Sequence, residues 1–322
     1  MNTSWDEECF NTSNPDACLA SQMALITSLA VPLSSIIIVG NLVIIVGIIG
    51  NKSLHNPTNY YFLSLLLSGL GTGLILPSIP MMNLKSEFAS QICFFFHLFP
   101  NFIFLAFLSN LLVVHYDRYV CIIHPFQYSL SWTHKYVPAV ILTTWLLPLL
   151  FASLPLFGWN NWSPSATHCY FKLIFPRAYI YLEIYGLIVP SILAITAITS
   201  QILHVARKHV KAIKKMHRAV HSDPASLEKQ LDFKYAKCIV LLFITFLVCW
   251  VPYIVFVHVS LFVENSGLKT RIILSCLGTS SAAFAPFILV FNNKEYFELW
   301  RSFSQSLKSC SKDTSVNRTF IV

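Results

Sequence analysis

Seven apolar segments run through this chain and constrain its fold more than any other feature of the sequence. A helix needs about 20 apolar residues to cross the hydrocarbon core of a bilayer. The candidate spans lie near residues 23–49, 59–83, 91–121, 136–157, 177–205, 234–262 and 270–292. Only 11% of the residues are charged, against about 25% in soluble domains. We therefore predict an all-α membrane protein, a seven-transmembrane helix bundle with a short C-terminal amphipathic helix.

The distribution of basic residues predicts which side of the membrane each end faces. Lys and Arg accumulate in the short cytoplasmic segments of membrane proteins. Of the 22 Lys and Arg, 17 lie in segments that this rule places inside, so residues 1–22 should be extracellular and 293–322 cytoplasmic. Glycosylation sequons in segments placed outside support this orientation, at Asn2, Asn11 and Asn161. We predict one domain, residues 1–322, that crosses the plasma membrane several times.

The net charge of +8 bears on the kind of partner that the chain can bind. The basic residues cluster beside the spans, which favours anionic lipids of the inner leaflet and a cytosolic protein over nucleic acid.

The nine cysteines differ in the compartment that they face, and no CxxC pair indicates zinc or redox chemistry. Cys93 opens the third span and Cys169 lies in the loop before the fifth, both on the oxidising side, so we expect them to form a disulfide. Cys9 and Cys18 could form a second one. Cys310 could be palmitoylated or remain a free thiol. We expect neither a metal nor a cofactor.

Two motifs, one at the end of span three and one in the middle of span six, indicate a switchable bundle. The third span ends in Asp117-Arg118-Tyr119, and an arginine at the end of a spanning helix is a functional-site hypothesis because a charge in the membrane is costly. In the sixth span Trp250 lies two residues before Pro252, whose missing N–H favours a kink. A small displacement at Trp250 would therefore move the inner half of that helix.

These motifs, with Gly40-Asn41, Trp145 and the Cys93-to-Arg118 spacing, resemble the rhodopsin-like G-protein-coupled receptors over essentially the whole chain. The resemblance implies a receptor and not an enzyme. It implies that Arg118 engages a heterotrimeric G protein when span six moves outward, and arrestin is a further possible partner. It also assigns a mid-bundle switch to Leu108, Pro190 and Phe246. Asp232 could pair with Arg118 in the resting state, beside Asp117.

Two departures from the family pattern affect this switch. Gly69 occupies the position of the acidic residue usual in span two, so we expect no sodium pocket. In span seven, Ala285-Pro286-Phe287-Ile288-Leu289 lacks the Asn and Tyr of the family motif. Activation should therefore rely more heavily on Arg118 and span six.

The outer half of the bundle offers a few polar groups among aromatic and aliphatic residues. Pro100 stands where amine receptors carry an aspartate, and Thr279 where opsins carry a lysine, so amine and retinal ligands are poor candidates. The candidate ligand-binding residues suit a flat, apolar ligand with hydroxyl groups at its edges, and they are His97, Asn101, Phe104, Glu183, Tyr253, Ser260 and Thr279.

Within the family, spans two to five resemble most the receptors for bile acids, through strings such as Pro100-Asn101-Phe102 and Tyr181-Leu182-Glu183-Ile184-Tyr185-Gly186. The resemblance implies a bile acid or related steroid as ligand, and a stimulatory G protein with cyclic AMP as output. His97 departs from a tyrosine in those receptors. The acidic tail of such a ligand would face five outer cations, Lys85, Lys172, Arg177, Lys269 and Arg271.

Several alternatives stay open at this point. Glu183 could instead pair with Arg177 or form a hydrogen bond between helices. A receptor for another lipid, such as a fatty acid, a lysolipid or a neurosteroid, is the nearest alternative function. A membrane transporter is less consistent, because the sequence shows no internal repeat of hydropathy.

Overall fold

The computed structural model describes residues 15–77, 90–124, 128, 135–163, 171–217, 225–262, 268–292, 296–301 and 305. Six spans are continuous helices, and span five consists of three consecutive pieces. In chain order the helices of the spans are Pro15–Gly50, Pro57–Ile75, Ser90–Ile123, Val137–Ser153, then Arg177–Tyr181 with Leu182–Ile188 and Val189–His217, then Ala225–Val259 and Leu268–Asn292. Short helical turns cover Lys52–Leu54, Leu154–Phe157 and Phe171–Ile174. Residues 296–301 are helical after span seven.

Six of these helices are long and apolar enough to cross a membrane, within the part of the chain that the structure describes. Span two is the seventh; its helix has 19 residues, and three glycines and several polar side chains lower its hydropathy. Many large apolar side chains point outward, such as Val46, Leu74 and Leu147, each at least 60% exposed. Such outward apolar faces are typical of membrane helices. The predicted seven-helix bundle is confirmed.

Some helices extend beyond the boundaries that hydropathy predicts, whereas the helices of spans two and four end earlier, at Ile75 and Ser153. Span one begins at Pro15 rather than near residue 23, and span six begins at Ala225 rather than near residue 234. Hydropathy marks the part of a helix that lies in lipid, whereas the backbone hydrogen bonds of a helix can continue into polar sequence.

Span three lies at the centre of the bundle, where it packs against spans two, four, five and six. Span seven closes the ring by packing against spans six, one and two. Polar side chains join helices that are distant in sequence. The Asn41 Nδ2 atom donates to the carbonyl oxygen of Ala282 at 3.0 Å, and Trp145 Nε1 donates to Ser64 Oγ at 2.9 Å.

The space beside Asn41 explains the glycine in span two. A Cβ atom placed on Gly69 would lie 2.8 Å from Asn41 Oδ1, too close for any side chain without a shift. The position that carries an acid in the resembling family is therefore filled here by the amide of span one.

The end of span seven is tied to span two through the C-terminal helix. The Tyr296 hydroxyl, on a side chain 1% exposed, donates to Asn59 Oδ1 at 2.7 Å. Phe287 and Trp300 pack with ring centroids 5.7 Å apart. These contacts anchor the inner end of span seven, although its family motif lacks Asn and Tyr.

Pro190 explains the irregular turn in span five. Proline has no N–H, and its ring collides with the carbonyl four residues earlier, here that of Gly186. The preceding residues Leu182–Ile188 form a π-helix, in which each turn holds an extra residue. This turn carries Glu183 and directs it toward the bundle interior.

Candidate ligand and switch sites

A cavity of about 220 Å³ opens between spans three, five, six and seven at the end of the bundle that we predict to face outside. We call it the outer cavity. Most of its walls are aliphatic or aromatic. Phe171 and Phe175 close one side near His97, with ring centroids 6.4 Å from the imidazole. Phe104 and Trp250 pack at 4.3 Å at its floor.

Six of the seven predicted ligand-binding residues line this cavity, and they are His97, Asn101, Phe104, Glu183, Tyr253 and Thr279. The seventh, Ser260, is not among the lining residues. Its hydroxyl donates to the carbonyl oxygen of Val257 at 2.7 Å, and its side chain is buried at the end of span six.

Some polar groups of the cavity are satisfied within the protein. Asn101 Nδ2 donates to the Tyr179 hydroxyl at 2.9 Å, and Thr279 Oγ1 donates to the carbonyl oxygen of Ser275 at 2.9 Å. His97 Nδ1 lies 2.9 Å from the carbonyl oxygen of Cys93. These side chains are held in place before any ligand arrives.

Glu183 and Tyr253 differ from these groups. Both line the cavity, and neither the Glu183 carboxylate nor the Tyr253 hydroxyl forms a hydrogen bond with the described part of the chain. The alternative pairing of Glu183 with Arg177 does not occur, since Arg177 is exposed and the structure shows no ion pair between them. A carboxylate in apolar surroundings is costly unless it accepts hydrogen bonds. Glu183 and Tyr253 are therefore the groups whose polar atoms all remain able to form hydrogen bonds with a ligand.

Arg271 also lines the cavity, on span seven. Its guanidinium carbon lies over the ring of Phe171 at 5.1 Å and over the ring of Phe256 at 6.0 Å. The side chains of three other outer cations, Lys85, Lys172 and Lys269, lie outside the described residues.

The predicted mid-bundle switch lies directly beneath this cavity. Trp250 Nε1 donates to Ser281 Oγ at 2.9 Å, and the Trp250 ring packs against Phe246 at 6.4 Å. Phe246 stacks on Phe107 at 6.3 Å, and Phe246 and Leu108 are both buried. Pro252 and Pro190 are also predicted to belong to this switch. Pro252 lies inside the span-six helix, and Pro190 is exposed on the surface of span five.

The inner end of span three contains a compact polar cluster of Asp117, Arg118, Thr58 and Tyr128, which we call the inner cluster. Arg118 Nη2 and Nε donate to Asp117 Oδ2 at 2.8 and 3.0 Å. Thr58 Oγ1 donates to the same oxygen at 3.0 Å, and the Tyr128 hydroxyl donates to Asp117 Oδ1 at 3.1 Å. Asp117 and Arg118 are only 8% and 7% exposed.

Tyr128 lies outside the spans and remains a neutral donor. Burial, with the nearby charge of Asp117, raises the pKa of Tyr128 to about 12. Its hydrogen bond to Asp117 is therefore kept over the whole physiological pH range.

The remaining predicted switch residues are Tyr119 and Asp232. The Tyr119 ring packs edge-on against His124, with centroids 6.1 Å apart. Asp232 belongs to the helix of span six, but its side chain lies outside the described residues, so its pairing with Arg118 stays a prediction.

The family model of the 7 transmembrane receptor (rhodopsin family) matches residues 40–289. The chain belongs to this family. It is 36% identical over 286 residues to G-protein coupled bile acid receptor 1 of Rattus norvegicus, which covers 87% of this chain and 85% of the relative. The human protein of that name is 37% identical over 283 residues, covering 86% and 84%. Adenosine receptor A2b of Bos taurus is 24% identical over 307 residues, covering 86% and 89%.

Membership of this family confirms the predicted resemblance and the expectation of a receptor rather than an enzyme. The receptor is a multi-pass membrane protein. Its fold brings the predicted ligand-binding residues of four spans to one cavity and the Asp117-Arg118 pair to a buried cluster.

The structure describes only some of the residues that we predict to be modified. Cys93 forms a disulfide, while Cys169 lies outside the described residues, so the pairing of these two cysteines stays a prediction. Asn161 is exposed, as glycosylation would need. Asn2, Asn11, Cys9 and Cys310 lie outside the described residues, as does the side chain of Cys18.

Sequence reasoning missed four hydroxyl-bearing residues of these sites. Tyr179 accepts a hydrogen bond from Asn101, Ser281 accepts one from Trp250, and Thr58 and Tyr128 donate to Asp117. Each partner is separated from the residue it contacts by a loop or by another helix, and none lies in a recognisable motif. Only the short distance between Asp117 and Tyr128 along the chain offered a signal.

Proposed function

We propose that this receptor binds a bile acid or a related steroid in the outer cavity and activates a heterotrimeric G protein. The stimulatory subtype with cyclic AMP production is the expected output. Relatives named as bile acid receptors, 35–37% identical to this chain, support this ligand class. The alignments with these relatives cover at least 85% of this chain.

The observation that carries the proposal is a pair of polar groups, Glu183 and Tyr253, that line a mostly apolar cavity and form no hydrogen bond with the described part of the chain. Glu183 accepts a hydrogen bond from a hydroxyl of the ligand, and the Tyr253 hydroxyl forms a second one. The rigid, apolar faces of a steroid then pack against rings such as Phe104 and Phe175. A ligand with this chemistry removes the cost of leaving a carboxylate unpaired.

Binding acts by shifting an equilibrium between two packings of the bundle. A ligand that contacts the active packing better than the resting one increases its population. The contact between Phe104 and Trp250 at the cavity floor continues to Phe246 in span six. Displacement of this aromatic stack is the proposed route to span six, and release of Arg118 from Asp117 is the proposed event at the inner end.

The proposed receptor is a single domain in the plasma membrane, with its N-terminus extracellular and its basic third inner loop toward the G protein. The 17 Lys and Arg in segments placed inside support this orientation. The same side would meet anionic lipids and arrestin.

The test compares variants of the cavity in cells that report cyclic AMP, calcium and inhibitory signalling. The ligand panel contains bile acids, bile alcohols, neurosteroids, fatty acids and lysolipids. We expect steroids to raise cyclic AMP, and Glu183→Ala to reduce their potency about tenfold or more, since a hydrogen bond to a charged group contributes about 1.5–3 kcal/mol. Tyr253→Phe should cause a smaller loss.

Thr196→Ala is the matched control, because Thr196 is exposed on span five and its hydroxyl donates to the Ile192 carbonyl. The potency of the steroids at this variant should equal their potency at the wild-type receptor. Unchanged steroid potency in both cavity variants would refute the assignment of this cavity. A response to acyl chains instead of steroids would favour a receptor for another lipid.

A further inference from the structure

Tyr179 is a buried residue behind the wall of the outer cavity, and it contacts Asn101, which lines that cavity. Its side chain is 0% exposed. Its ring packs against those of Phe151, Phe175 and Trp159, with centroids 4.8, 5.1 and 5.6 Å apart. Such close packing leaves the ring little freedom to move. Tyr179 therefore presents its hydroxyl oxygen to Asn101 from a fixed position.

The hydrogen bonds of the Tyr179 hydroxyl decide which way the Asn101 amide is turned. A phenol has one hydrogen, and the hydroxyl donates it to the carbonyl oxygen of Phe151 at 3.4 Å, because a carbonyl can only accept. The Tyr179 oxygen can therefore only accept from Asn101, and it receives a hydrogen bond from Nδ2 at 2.9 Å. The amide nitrogen is held against Tyr179, and the amide oxygen is turned away from it.

The Oδ1 atom of Asn101 is the part of the amide that remains able to accept a hydrogen bond from a ligand. This oxygen forms no hydrogen bond with the described part of the chain, and it is not buried. Because Asn101 lines the outer cavity, the oxygen faces that space. Glu183 lines the same cavity, four residues after Tyr179 on span five and within electrostatic reach of it. Two neighbouring groups of the cavity, the Asn101 oxygen and the Glu183 carboxylate, are therefore acceptors.

We propose that Tyr179 is a positioning residue that makes the receptor prefer a hydroxyl to a ketone at the point where the ligand meets Asn101. This inference rests on the proposed steroid function and specifies its chemistry at one position. A hydroxyl donates to Asn101 Oδ1, whereas a ketone brings a second acceptor against it, and neither oxygen then receives a hydrogen bond. Such an unfavourable contact contributes to specificity as much as a favourable one. Tyr179 acts through Asn101, because it does not line the cavity itself.

The experiment measures the cyclic AMP potency of a bile acid with three hydroxyls and of the three derivatives in which one hydroxyl is oxidised to a ketone. At the wild-type receptor, oxidation of the hydroxyl that meets Asn101 should reduce potency about tenfold or more. In Tyr179→Phe the amide is free to turn its nitrogen to the ketone, so the same oxidation should reduce potency only about threefold. The Phe151 carbonyl keeps its hydrogen bond from the Leu154 N–H in this variant.

Two further variants provide the comparison. Tyr181→Phe is the matched control, since Tyr181 lies on the same span, does not line the cavity and packs against Tyr185 and His258 instead. Its ratio of hydroxyl to ketone potency should equal that of the wild type for every ligand. Glu183→Gln should relieve the loss for a ketone at a different position of the steroid, because its amide can donate where the carboxylate cannot.

Surface expression of every variant is measured in parallel. If Tyr179→Phe does not reach the surface, Asn101→Asp decides the result, because its ionised side chain contains only acceptors. A preference for the hydroxyl that is the same in Asn101→Asp and in the wild type supports the orientation of the amide. A wild-type preference for the ketone that Asn101→Asp reverses would show that the nitrogen faces the ligand.

Three results would overturn the inference. An equal loss of potency for all four ligands in Tyr179→Phe would make Tyr179 only a structural residue. A ketone penalty that stays unchanged in Tyr179→Phe at every position would place the discrimination elsewhere, and equal wild-type potency for hydroxyl and ketone would show that there is none. A wild-type receptor that responds to none of the four steroids would instead refute the proposed function itself.

Discussion

The outer cavity and the inner cluster both place a carboxylate among apolar helices, but they differ in how that carboxylate is satisfied. At the inner cluster Asp117 accepts hydrogen bonds from Arg118, Thr58 and Tyr128. In the outer cavity Glu183 accepts none from the described part of the chain. Buried polar groups are nearly always paired, and an unpaired one calls for an explanation.

This difference suggests a division of roles between the two ends of the receptor. The hydrogen bonds of the inner cluster form entirely within the protein. They therefore favour the packing of the bundle in which they are made. In the proposed function, the outer cavity becomes complete when a ligand donates a hydrogen bond to Glu183. A ligand can therefore stabilise a second packing at one end, while the hydrogen bonds at the other end oppose the change.

The largest expected effect comes from removing the arginine of the inner cluster. Arg118→Ala should abolish ligand-stimulated cyclic AMP production and leave steroid binding and surface expression largely intact, because we propose that this arginine contacts the G protein in the active receptor. Removing one partner of a buried ion pair can itself cost about 3–5 kcal/mol, although Asp117 keeps its bonds to Thr58 and Tyr128.

The double variant Asp117→Asn with Arg118→Ala separates these two explanations. It leaves no buried charge unpaired, so it should be well expressed and still silent. Restored signalling in the double variant would show that the single variant failed through instability rather than through loss of the G-protein contact.

An intermediate effect is expected at the cavity floor. A Cβ atom on Gly278 would lie 2.8 Å from Trp250 Cε3, part of a rigid ring, so Gly278→Ala must displace that ring. Overpacking of this kind costs about 1–3 kcal/mol. We expect a lower melting temperature of the purified receptor and altered basal signalling.

The matched control is Gly50→Ala, because an added Cβ at Gly50 meets no atom within 4 Å. Its melting temperature and basal signalling should stay close to those of the wild type. Equal behaviour of the two alanine variants would contradict the coupling of Trp250 to activation.

The smallest effect is expected from removing one hydroxyl group from the inner cluster. Tyr128→Phe removes a hydrogen bond to Asp117 at 3.1 Å, which should lower stability by about 1 kcal/mol and raise basal cyclic AMP modestly. The effect should not depend on pH between 6 and 9, roughly, since the pKa of Tyr128 is raised to about 12.

Tyr116→Phe provides the comparison for this variant, because Tyr116 is an exposed tyrosine near the inner end of span three. It should leave basal signalling unchanged. A rise of equal size in both variants would mean that the bond between Tyr128 and Asp117 does not restrain the receptor.

The contacts that the sequence predicted well are those between residues adjacent in the chain or on one helix. Arg118 pairs with its neighbour Asp117, as expected, and His97, Asn101 and Phe104 face one cavity because they lie three or four residues apart on span three. Ser260 shows the limit of this reasoning. It lies seven residues after Tyr253, on the same side of the helix, but span six ends there and the lining does not extend to it.

The sequence by itself determined that this chain is a helical membrane receptor with a charged triplet at the end of span three, because hydropathy and neighbouring residues are local properties. Only the tertiary structure decided that Glu183 accepts no hydrogen bond from the described residues, while Asp117 accepts hydrogen bonds from three residues, Arg118, Thr58 and Tyr128. It alone distinguished Arg271, inside the cavity, from Arg177, outside it. These outcomes depend on how helices distant in sequence rotate and pack against each other, and no short stretch of sequence contains that information.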